Sequence, residues 1–168
     1  MTTLPDIIDF YSPTGKWFEF SNFFKSPIVY DLITYPSSEH FFQSKKFTDE
    51  WYKNQIIQAS TSMKAKIIAT QKIQSGYKWK TDLNPIIREG IKRGIKIIDN
   101  WDNLRDDIMY QIVKIKFSQN GELKTLLLST GTAIIQENSP RDSYWGLGHD
   151  GKGLNKLGLI LMRIRDEL

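Results

Sequence analysis

Pro36-Ser37-Ser38-Glu39-His40-Phe41-Phe42-Gln43-Ser44-Lys45-Lys46-Phe47 sets an acid, an amide and a base on a segment otherwise built for burial. Pro36 cannot sit inside a helix, and Ser37 or Ser38 can cap the amides just after it. A helix is therefore predicted to start here and run to about Phe47. At 100° per residue Glu39, Gln43 and Lys46 share one stripe, and His40, Ser44 and Phe47 the next. A carboxylate within reach of an ammonium on an aromatic-rich helix is either a surface ion pair or part of an active site. The rest of the chain has to decide.

With 168 residues the chain fits one domain with a sizeable core. A net charge of +4 is mildly basic. It favours anionic partners such as nucleotides, but the basic residues are too scattered for the stripe of a dedicated DNA binder. Cysteine is absent, which rules out disulfides, thiolate catalysis and cysteine-based zinc sites. Two histidines are too few for a histidine-rich metal centre. The start, Met-Thr-Thr-Leu-Pro-Asp, has no basic segment followed by an apolar one, and no apolar run reaches membrane-spanning length. The expectation is a soluble, cytoplasmic protein with no membrane partner. Five Trp, seven Tyr and nine Phe exceed what a core of this size needs and suggest stacking surfaces.

Upstream of Pro36, Ile7 to Tyr11 reads as a strand and Ser12-Pro13-Thr14-Gly15 as a turn. Trp17 to Phe24 is aromatic and reads as a buried loop or edge strand in which Ser21 and Asn22 bond to backbone. Ile28 to Tyr30 and Leu32 to Tyr35 form two short strands joined at Asp31. Downstream, Thr48 or Asp49 caps a helix carrying Trp51, Tyr52, Ile56 and Ile57, and Ser62 starts another through Met63, Ile67 and Ile68. Periodicity fades from Gln71 to Thr81. Asn84-Pro85 reads as a cap and first helical position, followed by Ile86, Ile87, Ile91 and Ile95 at helical spacing. The longest helix is predicted over about Asp102 to Phe117, with Leu104, Ile108, Met109, Ile112 and Ile115 on its apolar face and the Lys116 stem beside them. Asn120 caps a helix from Glu122 to Ser129 that Gly131 ends. Ala133 to Gln136 reads as a strand, Ser139 to Gly153 as a glycine-rich loop, and Leu154 to Glu167 as a closing amphipathic helix. The fold class is α+β, mainly helical, a single compact domain with a small N-terminal β element.

Three polar features stand out: the Glu39, Gln43, Lys46 stripe; Asn100-Trp101 at a helix entrance; and Asp142 with Trp145 in a long glycine-punctuated loop. Two carboxylates, two indoles and an amine suit cleavage of a bond between ribose and a nitrogen base. One acid protonates the departing nitrogen, another steadies the oxocarbenium-like ribose or activates water, and the indoles stack a base or cover the sugar. Each piece alone has an ordinary explanation. Glu39 suits the dipole of a first helical turn, Lys46 a solvated surface, Trp101 and Trp145 a core, and Asp142 a capped turn. His40 reads as a hydrogen-bonded framework residue.

Taken in order, Tyr35 to Phe47, Asn100-Trp101, Asp142-Ser143-Tyr144-Trp145-Gly146 and Gly151-Lys152-Gly153-Leu154-Asn155-Lys156-Leu157-Gly158 resemble the YbiA-like, or NADAR, family. Ile8 to Asn22, which reads as Phe-Tyr-Ser followed later by Phe-Ser-Asn-Phe, is similar to its N-terminal signature, and Leu161-Met162-Arg163-Ile164-Arg165 to its closing helix. The resemblance implies an N-glycosidase acting on ribosides, with no metal or other cofactor. The implied substrate is ADP-ribosylated guanine, free or in DNA or RNA, or an early phosphoribosyl intermediate of the riboflavin pathway. The alternative is a non-catalytic module that binds ADP-ribose or a nucleotide. By the same resemblance Glu39, Asp142 and Lys46 are the catalytic candidates, with Lys46 attacking the anomeric carbon or capturing the ring-opened ribose as an imine. Trp101, Trp145, Gln43, Asn155, Tyr144 and Asn22 are the substrate-binding candidates. The family's usual Gly-Arg pair after the third helix is missing, and Gln71 to Ile98 is longer than its common form. If that arginine holds a phosphate in relatives, Arg88 or Arg93 is expected to replace it here.

Overall fold

The computed structural model describes residues 5–168. These residues are mainly helical, with two small sheets among them. Its elements run β1 (Ile7–Phe10), a 3-10 turn (Phe18–Phe20), β2 (Ile28–Tyr30), β3 (Ile33–Tyr35), α1 (Ser38–Ser44), α2 (Glu50–Ile57), α3 (Ser62–Thr70), α4 (Lys78–Thr81), α5 (Asn84–Lys92), α6 (Trp101–Gln119), α7 (Gly121–Leu128), β4 (Ile134–Glu137) and α8 (Lys156–Glu167). No helix among the described residues is long and apolar enough to cross a membrane. The chain divides into two compact units, one holding residues up to Phe24 and again from Met109 onward, the other Lys25–Ile108.

In the Lys25–Ile108 unit, β2 and β3 pair antiparallel, Val29 opposite Thr34, and deliver the chain to α1. Asp31 and Leu32 at the hairpin tip both have positive φ, 49° and 62°, as a two-residue turn matched to the strand twist requires. Ser37 caps α1 by accepting from His40 N, Asp49 caps α2 by accepting from Tyr52 N, and Thr61 caps α3 by accepting from Lys64 N. These caps satisfy amides that a helix start leaves open. The core is Phe47, Tyr52, Ile56, Ala65, Ile67, Ile68, Ala69, Leu83 and Ile87. Tyr52 is buried whole because its hydroxyl finds Ile68 O at 2.6 Å.

Three expectations change here. Helix α1 stops at Ser44 rather than Phe47, because Lys46 N and Phe47 N bond back only three residues, to Gln43 O and Ser44 O, and tighten the last turn into 3-10 form. Asn84 does not cap α5. Its buried amide binds Gln74 instead, accepting from Gln74 N at 2.7 Å and donating to Gln74 O at 2.9 Å. Ile91, expected in the apolar face, is exposed next to the end of α5.

In the other unit β1 and β4 pair in parallel, Ile8 opposite Ile135. Alternate residues Ile8 and Phe10 of β1 point inward. The Phe10 and Phe20 rings meet edge to face and Phe20 leans on Phe117, ring centres 6.0 Å apart in both pairs. Ile135 of β4 and Leu157, Leu161 and Ile164 of α8 are buried in the same unit. Asn120 caps α7 by accepting from Leu123 N. The boundary between the units falls inside α6. The buried face of that helix is Met109, Ile112, Val113, Lys116 and Phe117, so Leu104, expected on it, is exposed.

Candidate active site

Helix α1 is unusual because all seven of its residues are buried, Glu39 and Gln43 included. Glu39 is 5% exposed and Gln43 4%. Taking a carboxylate out of water is costly unless it is partnered. One partner is Gln43, one turn on, whose Nε2 donates to Glu39 Oε1 at 2.7 Å. With its amide hydrogens turned toward Glu39, Gln43 presents Oε1 the other way, and that atom is buried without a hydrogen bond among the described residues. Buried acceptors are nearly always paired, so an open one asks for a donor.

The neighbouring stripe fixes the helix. His40 Nδ1 lies 2.7 Å from Ser37 Oγ, which in turn lies 2.9 Å from Ser62 Oγ, and His40 Nε2 lies 2.9 Å from Ala59 O. The Ala59 carbonyl can only accept, so His40 carries its proton on Nε2 and Ser37 donates to Nδ1. Burial lowers the pKa of His40, and the Ala59 carbonyl pulls it back upward. This is the framework role expected for it.

Lys46 follows the end of α1. Its Nζ lies 5.9 Å from the ring centre of Phe42 and 5.7 Å from that of Trp101, and the two rings are 5.1 Å apart at 55°. Trp101 is brought there by the backbone: Ile98 N donates to Lys46 O at 2.8 Å. Asn100, at φ 67°, then turns the chain into α6, whose first residue is Trp101. Burial lowers the pKa of Lys46, Glu39 raises it, Lys66 and Arg105 lower it further and Asp102 raises it. The ammonium therefore gives up its proton more readily than an exposed lysine does. Arg105, one turn after Trp101 and so on the same helical face, also pairs with Asp102 at 3.3 Å. Arg93, by contrast, pairs with Glu89 at 2.8 Å and stacks 4.1 Å over Trp51, and Arg88 is exposed. The cations acting on Lys46 are Lys66 and Arg105. Neither Lys66, Arg105 nor Phe42 was a candidate from sequence; the one available signal was the four-residue step from Trp101 to Arg105.

The remaining candidates lie in the other unit. Asp142 Oδ1 accepts from Tyr144 N at 3.0 Å and Trp145 N at 2.8 Å, a turn closed by its own side chain. The Trp145 carbonyl accepts from Leu157 N at 3.0 Å, and Lys156 N, Asn155 N and Leu154 N bond to Tyr144 O, Gly146 O and Ser143 O. Residues 143–146 are thus held by the approach to α8. Tyr144 and Trp145 rings meet edge to face, 5.0 Å apart. Gly146 has no room for a side chain: a Cβ there would sit 2.6 Å from Glu137 O. Asn155 is buried at φ 49°; its Oδ1 accepts from Glu137 N at 3.0 Å and its Nδ2 donates to Ile135 O at 2.9 Å. Both polar ends of that amide bond to the backbone of β4 and so brace the loop. Asn22 is buried and donates from Nδ2 to Met109 Sδ at 3.2 Å.

Known proteins give these observations a context. Over 96% of its length the chain is 37% identical to N-glycosidase YbiA of Escherichia coli, covering 88% of that protein. It is 32% identical to a riboflavin biosynthesis protein of Vibrio vulnificus, of which it covers 38%. The solution structure of E. coli YbiA matches the fold with a TM-score of 0.72 at 36% identity, over 96% of this chain and 83% of that one. Fold and sequence together define a hydrolase acting on N-glycosyl bonds. The NADAR domain matches residues 9–168, and the chain belongs to that family.

Proposed function

We propose that the enzyme hydrolyses the bond between ribose C1′ and nitrogen in an early phosphoribosyl intermediate of the riboflavin pathway. The observation that carries this reading is the buried Glu39 carboxylate held by Gln43, with the Lys46 ammonium nearby between Phe42 and Trp101. The C1′–N bond breaks with its electrons going to nitrogen, which takes a proton, and water supplies the hydroxyl to C1′. Glu39 and Asp142 share the acid, base and oxocarbenium-stabilising roles. Trp101 and Trp145 wall the base or the sugar, Tyr144 and Asn22 contact the substrate, and Gln43 Oε1 accepts from one of its donors. With its lowered pKa, Lys46 is suited to add to the C1′ aldehyde of the opened sugar, releasing water to form an imine. Lys66 and Arg105, the cations acting on Lys46, suit a phosphate better than Arg88 or Arg93 do. Relatives named as riboflavin biosynthesis proteins, in Vibrio vulnificus and Zea mays, favour this substrate class.

The test is release of free base from a phosphoribosyl pathway intermediate and from ADP-ribosylguanine, free and in single-stranded DNA or RNA, with Glu39→Gln as control. Turnover of the first supports the reading. Turnover of the second alone moves the substrate to ADP-ribosylated guanine, and tight binding with no base released makes the protein a binding module. Borohydride reduction during turnover is expected to leave the sugar on Lys46; an unmodified Lys46 removes the imine.

A further inference from the structure

One buried cation has no part in the chemistry above. Lys116 of α6 is 1% exposed. Its Nζ donates to Glu19 O at 2.6 Å and Ser21 O at 2.9 Å, and lies 5.7 Å and 5.2 Å from the ring centres of Phe24 and Phe117. An ammonium is among the costliest groups a core can hold, and a methionine would fill the same space without that cost. What a lysine adds is a pair of charge-assisted donors aimed at two carbonyls.

Those carbonyls bracket Phe20. Trp17 opens the turn at φ 66°, a conformation a bulky L-residue keeps only when its surroundings fix it. Phe20 N and Ser21 N bond back to Trp17 O and Phe18 O, and Ser21 O also accepts from Phe24 N at 3.2 Å. The next residue is Asn22, whose amide reaches Met109, two turns before Lys116 on the same helix. Helix α6 therefore grips this segment twice, once through the Asn22 side chain and once through the backbone on either side of Phe20.

We propose that Lys116 is a positioning residue, whose ammonium ties the Glu19 and Ser21 carbonyls to α6 and so holds residues 17–24 in the arrangement that presents Asn22 to the riboside. The kinetic part rests on the reaction proposed above; the structural part does not. Glu19 is the charged group acting on Lys116, and the other groups touching it are rings and carbonyls. Burial pushes the ammonium down to about 7, against the upward pull of Glu19. A neutral amine makes weaker hydrogen bonds than an ammonium, so the turn loosens as pH rises through that value.

Two measurements test this on the full chain. NMR titration follows Lys116 Cε and the backbone amides of Phe20, Ser21 and Asn22; the amides are expected to move with the midpoint of Lys116. Steady-state kinetics compare the native enzyme, Lys116→Met, Asn22→Ala and the double variant. Lys116→Met is expected to raise KM about tenfold with much less change in kcat, and to add less than about twofold once Asn22 is already alanine. Kinetics within about twofold of the native enzyme, or effects of the two substitutions that simply multiply, overturn the proposal. If Lys116→Met does not fold, the native titration decides: amides that stay still through the Lys116 midpoint overturn it. A native enzyme that cleaves no riboside sinks the reaction proposed above and leaves this titration as the test of the latch.

Discussion

The two regions that carry the candidate residues are built on opposite plans. In α1 the backbone is regular and the side chains are exceptional: an acid and an amide are buried on one helical stripe and bonded to each other. In the loop before α8 the backbone is exceptional: Asp142 closes its own turn, residues 143–146 bond to residues 154–157, and Asn155 binds the backbone of β4. A helix can change a functional side chain and keep its shape, because its hydrogen bonds belong to the main chain. A loop held by side-chain bonds and close backbone approach cannot. Substitutions in α1 should therefore remove activity and spare stability, and substitutions around the loop should do the reverse first.

The sharpest probe of that contrast is Glu39→Gln. Base release is expected to fall about 10²- to 10⁴-fold, the range a positioned proton-transfer group contributes, with the melting temperature little changed because the new amide can still bond to Gln43. Turnover at the native rate removes the mechanism, and collapse of the fold breaks the contrast. Next is Gly158→Ala. A Cβ there would lie 2.2 Å from Ile135 O and within 2.5 Å of both polar atoms of the Asn155 amide. Because the nearest obstacle is backbone, a loss of about 3 kcal/mol is expected in urea denaturation; a loss below about 0.5 kcal/mol would show that the loop can shift freely. Asn155→Ala removes two bonds to β4 and leaves Glu137 N and Ile135 O to find water, at a cost of about 2 kcal/mol by the same measurement. Activity lost without any loss of stability would favour a substrate-binding role for Asn155 over a bracing one.

The smallest effect belongs to His40 and is read by pH. Burial lowers its folded pKa below the unfolded value. As pH falls below about 6.5 the unfolded chain therefore takes up the proton first. The stabilisation is complete above that pH and is lost as pH drops toward the folded pKa. His40→Gln should flatten this slope in denaturation curves between pH 7 and 5. An unchanged slope would assign it to the carboxylates.

The same contrast explains what could be read from the sequence. Caps at Ser37, Asp49 and Asn120 and the Glu39, Gln43 spacing follow from local rules, since each depends on residues within one helical turn. Periodicity also found the inward face of α8, Leu157, Leu161 and Ile164. What escaped depends on partners far along the chain: the parallel pairing of β1 with β4, the bond from Asn84 to Gln74, and the stack of Arg93 on Trp51. Asp142, Trp145 and Asn155 were picked out by residue type and by resemblance. The bonds that define their positions run to main-chain atoms, which leave no mark in side-chain patterning. Lys116 looked like a stem beside an apolar face, because nothing nearby in sequence announces two carbonyls almost a hundred positions upstream.

The single bond from Ile98 N to Lys46 O makes Ile98 a fixed re-entry point for the chain. Whatever path the preceding two dozen residues follow, the strand of backbone leading to the Trp101 indole is re-registered on the end of α1 before α6 begins. A change in the length of the exposed turns between Gln71 and Ile98 would then leave the indole at its address over the lysine.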